Sequence, residues 1–204
     1  MSSPPQLAYE TIYHIWNRGV NRQNIYLNEA NYQFFLQTYA YHVLLVAETL
    51  AYCLLPNHFH LVIRTLDAAA IDRNYATLEK PRRPLTPSQA FSNCFNSYVK
   101  AYNKWIQRTG GLFEGRFGRK PVTTQQQLVN LITYVHRNPQ THGLVDDFRQ
   151  WRYSSYGALV GDQATKVCRE DVLGLYGNRQ EFVMVHGQPV DERAIEVLIA
   201  EDFM

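Results

Sequence analysis

Nothing in the chain approaches the roughly 18 consecutive apolar residues that a membrane-spanning helix needs. No membrane partner is therefore expected. The opening residues, Met1-Ser2-Ser3-Pro4-Pro5, supply neither a basic stretch nor an apolar core. No secretory signal is expected from them, and the expected location is cytoplasmic. Cysteine is scarce: Cys53, Cys94 and Cys168 are odd in number and far apart. That excludes a disulfide framework and a cysteine metal knot, and fits free thiols in a reducing compartment. No repeat or low-complexity block is visible, so solenoid and collagen-like architectures fall away. What is plentiful is aromatic surface, at 13 % of 204 residues, which argues against disorder. The length suits one domain with a terminal extension.

Acidic residues are nearly missing from the middle. Residues 73–120 hold ten Lys/Arg and two Asp/Glu, a local balance of +8. Residues 1–72 carry three basic and five acidic groups (−2), and residues 121–204 carry seven and eleven (−4), giving the net +2. A basic centre between acidic flanks suggests a localised polyanion-binding surface, with a solvated helix face plus charged loop as the plainer reading.

Residues 11–18 read as a strand rich in β-branched and aromatic side chains, ended by Gly19. Asn28 can cap a helix over about 29–43, with Tyr32, Phe35, Leu36 and Tyr39 on one face. Runs 49–55 and 58–65 flank Pro56-Asn57, a hairpin signal. Residues 67–85 are polar and basic and read as a loop. Thr86-Pro87-Ser88-Gln89 is a capping box with proline at the first helical position. The helix behind it should reach about Arg108, burying Phe91, Phe95, Tyr98, Tyr102 and Trp105. Residues 112–122 interleave glycine, aromatic and basic residues, including Arg116, Arg119 and Lys120, which suits a loop and edge strand tracking phosphates. Thr124-Gln125-Gln126-Gln127 is a second capping box, opening a helix with Leu128, Leu131, Ile132 and Val135 as its apolar face. Pro139 should end it at Asn138. Past Trp151, short helical runs such as 190–201 suggest a small C-terminal appendage.

Two pairs of residues carry candidate chemistry. In Pro56-Asn57-His58-Phe59-His60, the period of a strand puts His58 and His60 on one face and Phe59 on the other. Two adjacent imidazoles are half of a divalent-metal site. Tyr134 and Asn138 are four apart and lie one helical turn from each other. Two imidazoles and an amide oxygen suit Mg²⁺ or Mn²⁺, with the imidazoles favouring tolerance of Mn²⁺. A tyrosine beside such a site suits reversible attack on a phosphodiester, because phenolate leaves more readily than an alkoxide. Against this, a tyrosine on an amphipathic helix usually packs in the core, and an asparagine before proline usually stops a helix. On spacing alone both readings stand.

Several segments together resemble the single-tyrosine HUH transposases, specifically the REP-associated tyrosine transposases. They are Tyr13-His14-Ile15-Trp16-Asn17-Arg18-Gly19, Pro56-Asn57-His58-Phe59-His60-Leu61-Val62-Ile63, Leu112-Phe113-Glu114-Gly115-Arg116-Phe117 and Tyr134-Val135-His136-Arg137-Asn138-Pro139, with Trp151-Arg152-Tyr153-Ser154-Ser155-Tyr156 following. The likeness runs in order from about residue 9 to 160. It implies an α+β, ferredoxin-like antiparallel sheet with helices packed on one face. It implies a domain over 1–160, and leaves 161–204 as a mostly helical extension of open role. It implies metal-dependent cleavage and rejoining of hairpin-forming single-stranded DNA through a 5′-phosphotyrosine. Tyr134 matches the nucleophile, and His58 and His60 match the HUH pair. Asn138 matches the third metal position, where short insertion-sequence relatives carry Gln.

Arg18, Arg22, Arg116, Arg119 and Lys120 are the candidate phosphate contacts. A monomer and a homodimer are both compatible with the sequence. Two other classes remain: a domesticated DNA-binding protein that no longer cuts, and an unrelated His-x-His hydrolase. The second lacks the third histidine that a histidine-triad enzyme would want at position 62, which is Val62.

Overall fold

A computed structural model describes residues 5–199 of the chain. Four strands and eight α-helices are found among them. Strand β1 (Ile12–Arg18) leads through a tight turn to helix α1 (Glu29–His42). The Asn28 side chain accepts from the Asn31 amide and caps α1, as its sequence position predicts. Strands β2 (Ala47–Leu55) and β3 (His58–Thr65) form the expected hairpin over Pro56-Asn57. Helix α3 (Pro87–Trp105) begins with both halves of the Thr86/Gln89 capping box in place. Strand β4 (Gly118–Pro121) completes an antiparallel sheet of order β2-β3-β1-β4. That order, with α1 and α3 against one face, is the ferredoxin-like core.

The core on that face is aromatic. Phe35 and Tyr39 of α1 meet Phe91, Phe95 and Tyr98 of α3 over Phe59, Leu61 and Ile63 of β3. Tyr98 is fully buried and donates its hydroxyl proton to the Ile25 carbonyl. Trp105 ends the aromatic series 48 % exposed, its ring edge-on to Phe34 of α1.

The opposite face is covered too. Helix α4 (Gln125–Thr141) lies on it, packed against β2 and β3. Beyond α4 come α5 (Tyr156–Val160), α6 (Arg169–Tyr176), α7 (Arg179–His186) and α8 (Glu196–Ile199). Val172, Leu173, Phe182, Leu198 and Ile199 join Leu128, Leu131, Ile132 and Val135 in a second core. Helix α4 is therefore buried on both sides, between sheet and C-terminal helices. An irregularity between Thr49 and Ala51 helps build this face. The extra residue sends Leu50 and Ala51 to the same core rather than to opposite ones.

Three local readings need correction. Residues 67–85 contain helix α2 (Ala68–Ala76), capped by Asp67 on the Ala70 amide and anchored by buried Ile71 and Tyr75. Three successive alanines favour that helix in a segment whose charges suggested a loop. The second capping box is half formed: Thr124 accepts from the Gln127 amide, but the Gln127 side chain turns to Thr123 instead. Pro139 does not end α4, which runs to Thr141. A proline so close to a C-terminus forfeits one backbone bond, and the last turn closes through His142 to Asn138 and Leu144 to Pro139. In the tail, residues 192–195 form a 3₁₀ turn before α8, and the expected helical end at 200–201 lies outside the described residues.

The two sheet edges differ. On β2 the C-terminal segment bonds to the outer backbone: Leu54 N–H to Tyr153, Ser155 N–H to Tyr52, and Cys168 N–H to Thr49. On the other side β4 is four residues long and ends at Pro121. Gly118 lets β4 lie against the Trp16 indole, since a Cβ there would sit 2.1 Å from the ring.

Candidate active site

His58 and His60 open β3 and project to the α4 side, while Phe59 enters the aromatic core on the other. Their rings are 5.0 Å apart and nearly perpendicular. The hydrogen bonds behind them define which nitrogens carry protons. A backbone carbonyl can only accept, so His14 donates from Nδ1 to Leu198 O at 2.8 Å. The neutral tautomer of His14 that donates there accepts at Nε2 from His60 Nδ1–H, at 3.0 Å. His60 therefore keeps its lone pair on Nε2. In the same way His58 donates from Nδ1 to Asn57 Oδ1 at 2.7 Å and keeps its lone pair on Nε2. Two imidazoles held with unprotonated Nε2 atoms are prepared for a Lewis acid.

Electrostatics point the same way. Burial, followed by the charges of His60 and His142, pushes His58 down to about 2. Burial and His14 hold His60 well below the usual histidine value. Both rings are thus neutral near pH 7.

Tyr134 and Asn138 arrive from α4, one turn apart. The Tyr134 ring meets the His60 ring edge-on with centroids 6.1 Å apart, and is only 4 % exposed. Asn138 is 1 % exposed. It is near enough to His58 to favour the ring's charged form, yet neither its amide oxygen nor its nitrogen meets hydrogen-bond geometry. A buried amide left without such bonds is costly unless something else binds it. Among the described residues no three His, Cys, Asp or Glu side chains converge as a metal site. Any cation here rests on the mixed set of two imidazoles and one amide.

Outside the histidines lies a cleft of about 750 Å³. Arg18, Arg22 and Arg116 line it with His58, His60 and His142. Arg18 is ion-paired to Glu114 at 3.0 Å. Arg22 follows Asn21 in a turn where both have positive φ (58° and 53°), and its carbonyl accepts from the Asn57 amide. Two consecutive non-glycine residues in that region hold local strain, a common mark of functional turns. Arg119 is not in this cleft: its guanidinium stacks on Phe117 at 3.8 Å and lines a neighbouring one. Lys120 lines neither. Adjacent positions on a strand face opposite ways, so β4 could not deliver both side chains to one place.

A buried relay holds α4 beside this cleft. His186 donates from Nδ1 to Phe182 O (2.8 Å) and accepts at Nε2 from His136 Nδ1–H (2.8 Å). His136 Nε2 in turn accepts from the Ser155 hydroxyl at 2.7 Å, and Ser155 Oγ accepts from the Tyr52 amide. His136 sits midway between Tyr134 and Asn138, so the relay pins that turn of α4 to β2 and α7.

Sequence reasoning gave no role to His14, Asn57, His142 or the relay. Strand alternation and the pairing of Trp16 with His60 put His14 on the histidine face, and only the fold reveals that pairing.

No family model matches the chain. A Haemophilus influenzae protein described as "Putative REP-associated tyrosine transposase" is 31 % identical over 111 residues. The match spans 53 % of this chain and 58 % of that protein's length. The solved structure of a REP-associated tyrosine transposase bound to a REP hairpin superposes with a TM-score of 0.55. It covers 82 % of this chain and 93 % of the other at 17 % identity, a likeness of fold. Both comparisons agree with the motifs: in sequence and in fold, this chain is similar to the REP-associated tyrosine transposases.

Proposed function

We propose that the protein is a REP-associated tyrosine transposase that cleaves and rejoins hairpin-forming single-stranded DNA through a 5′-phosphotyrosine on Tyr134. One observation carries this reading. The buried Asn138 amide, without hydrogen-bond geometry of its own, lies beside His58, and Tyr134 one turn earlier meets His60. A cation held there would satisfy the amide oxygen.

In the proposed reaction the Tyr134 hydroxyl loses its proton and its oxygen attacks the scissile phosphorus. The bond from phosphorus to the 3′ oxygen breaks, and that oxygen takes a proton. A 3′-OH attacking the phosphotyrosine reverses the step and restores the phenol. His58, His60 and Asn138 would hold a divalent cation, Mg²⁺ or Mn²⁺, which polarises the phosphate oxygens as a Lewis acid. Arg18, Arg22 and Arg116 line the cleft where the DNA backbone would run. At 4 % exposure Tyr134 reaches that backbone only by a rotamer change or a small shift of α4. The same burial favours a second reading, a DNA binder that does not cut.

The test is a denaturing gel with labelled single-stranded hairpins, Mn²⁺ or EDTA, and Tyr134→Phe alongside. The expected result is a metal-dependent covalent adduct that vanishes in the variant, with hairpin binding within about twofold. Cleavage persisting in Tyr134→Phe would sink the nucleophile, and binding without adduct under any metal would favour the second reading.

A further inference from the structure

The carbonyl that orients the histidine pair comes from the far end of the chain. Leu198, in α8, lies 184 positions after His14, and its backbone oxygen accepts from His14 Nδ1–H at 2.8 Å. His14 Nε2 then meets His60 Nδ1 at 3.0 Å, with the two rings 20° from parallel and 5.2 Å between centroids. Both imidazoles are fully buried and Leu198 is 3 % exposed, so this line of hydrogen bonds is shielded from water.

The line has a direction. The Leu198 oxygen can only accept, so it fixes the His14 proton on Nδ1 and leaves Nε2 as an acceptor. His60 must then carry its own proton on Nδ1. The other His14 tautomer would set N–H against N–H. His60 could relieve that by moving its proton to Nε2, the atom a cation would need. Water in place of the carbonyl could donate as readily as accept, and would select neither tautomer. The docked position of α8 thus decides the state of an imidazole in the candidate site. The second core holds it docked, with Leu198 and Ile199 packed among Leu131, Tyr134 and Val135.

Influence also runs the other way. A divalent cation on His60 Nε2 would draw electron density from the ring and make its Nδ1–H a stronger donor. His14, polarised in turn, would donate more strongly to Leu198. Coupling between two equilibria is reciprocal, so each favours the other by the same factor. We propose that His14 is a positioning residue that links the docking of α8 to cation occupancy of His58, His60 and Asn138, each strengthening the other. The C-terminal segment then acts on the site and does more than cover the sheet. The inference rests on the proposed cation site, but not on DNA cleavage.

The test is amide hydrogen exchange on the full chain, read by mass spectrometry over residues 192–199, with Mn²⁺ or EDTA. Wild type, His14→Phe and His58→Ala are compared, and calorimetry records Mn²⁺ binding by each. In wild type, Mn²⁺ should slow exchange at 192–199 by about tenfold, a typical coupling factor. Exchange over α6, in the same core, should change by less than about twofold. The slowing should vanish in His14→Phe at Mn²⁺ saturating for that variant, and in His58→Ala. A segment held by apolar packing alone would not respond to the cation, so the wild-type arm decides the matter even where a variant fails to fold. Mn²⁺ binding without slower exchange, or equal slowing across α6, would overturn the linkage alone. Slowing that persists in His14→Phe would overturn the part assigned to His14. Absence of Mn²⁺ binding by wild type, or binding unchanged in His58→Ala, would overturn the linkage together with the cation site.

Discussion

Ser155→Ala removes one oxygen from the middle of the buried relay. In the folded protein that oxygen does two jobs: it donates to His136 Nε2 and accepts from the Tyr52 amide. Ser155 and His136 are fully buried, so water cannot replace it at either partner. Each stranded buried group costs about 1–3 kcal/mol, so the pair should cost roughly 3 kcal/mol. In a chain of this size each kcal/mol lowers Tm by about 2–4 °C, which predicts a fall of roughly 6–12 °C. Urea unfolding of wild type, Ser155→Ala, His186→Ala and the double variant measures this directly. Because all three side chains form one hydrogen-bonded unit, the two single losses should fail to add by at least ~0.5 kcal/mol. A Ser155→Ala loss under about 0.5 kcal/mol, or strict additivity, would show that the relay is incidental geometry.

Burial holds His186 down to about 4 against an ordinary 6.5, so the unfolded chain binds its proton first as pH falls. That contribution to stability is complete above pH 6.5 and is lost between 6.5 and 4, at about 1.4 kcal/mol per unit. Unfolding curves across that window should be flatter in His186→Gln by about one proton; equal slopes would refute it. Gly118→Ala would drive a methyl to 2.1 Å from the rigid Trp16 indole, which should destabilise by about 1–3 kcal/mol in thermal melts. His14→Phe removes the acceptor that keeps the His60 Nδ1 proton in place. If the proposed cation site is real, calorimetric Mn²⁺ affinity should then fall about 10- to 100-fold, and an unchanged affinity would count against it.

Much of this architecture was legible because its signals are local. Asn28, the Thr86 box and the Pro56-Asn57 turn each declare an element boundary within four residues, and each stands where the sequence put it. Alternation likewise sufficed to send His58 and His60 one way and Phe59 the other. Helix α2 was hidden because its two buried anchors, Ile71 and Tyr75, sit among charges that suggest solvent. Its other clue, alanines after a capping aspartate, is weak in so short a segment. The hydrogen bonds that set the histidine tautomers were illegible for a different reason. They join residues 46 and 184 positions apart, and no periodicity encodes which strand or helix comes to lie alongside. Tyr134 was read from spacing as standing one turn from Asn138, and it does, but its burial depends on tail helices whose docking the sequence left open.

The unequal sheet edges bear on how copies of this chain can meet. A bare strand edge invites another chain to extend the sheet, in productive dimers and in aggregates alike. Here the long β2 edge is already occupied by the chain's own residues 153–168. The β4 edge offers only four residues, with Arg119 and Lys120 on them and Pro121 at the end. Among the described residues neither edge is a long bare strand, which disfavours self-association by sheet continuation. The arginine-rich flank beside β4 can stay wetted for a polyanion without exposing the sheet to its own kind.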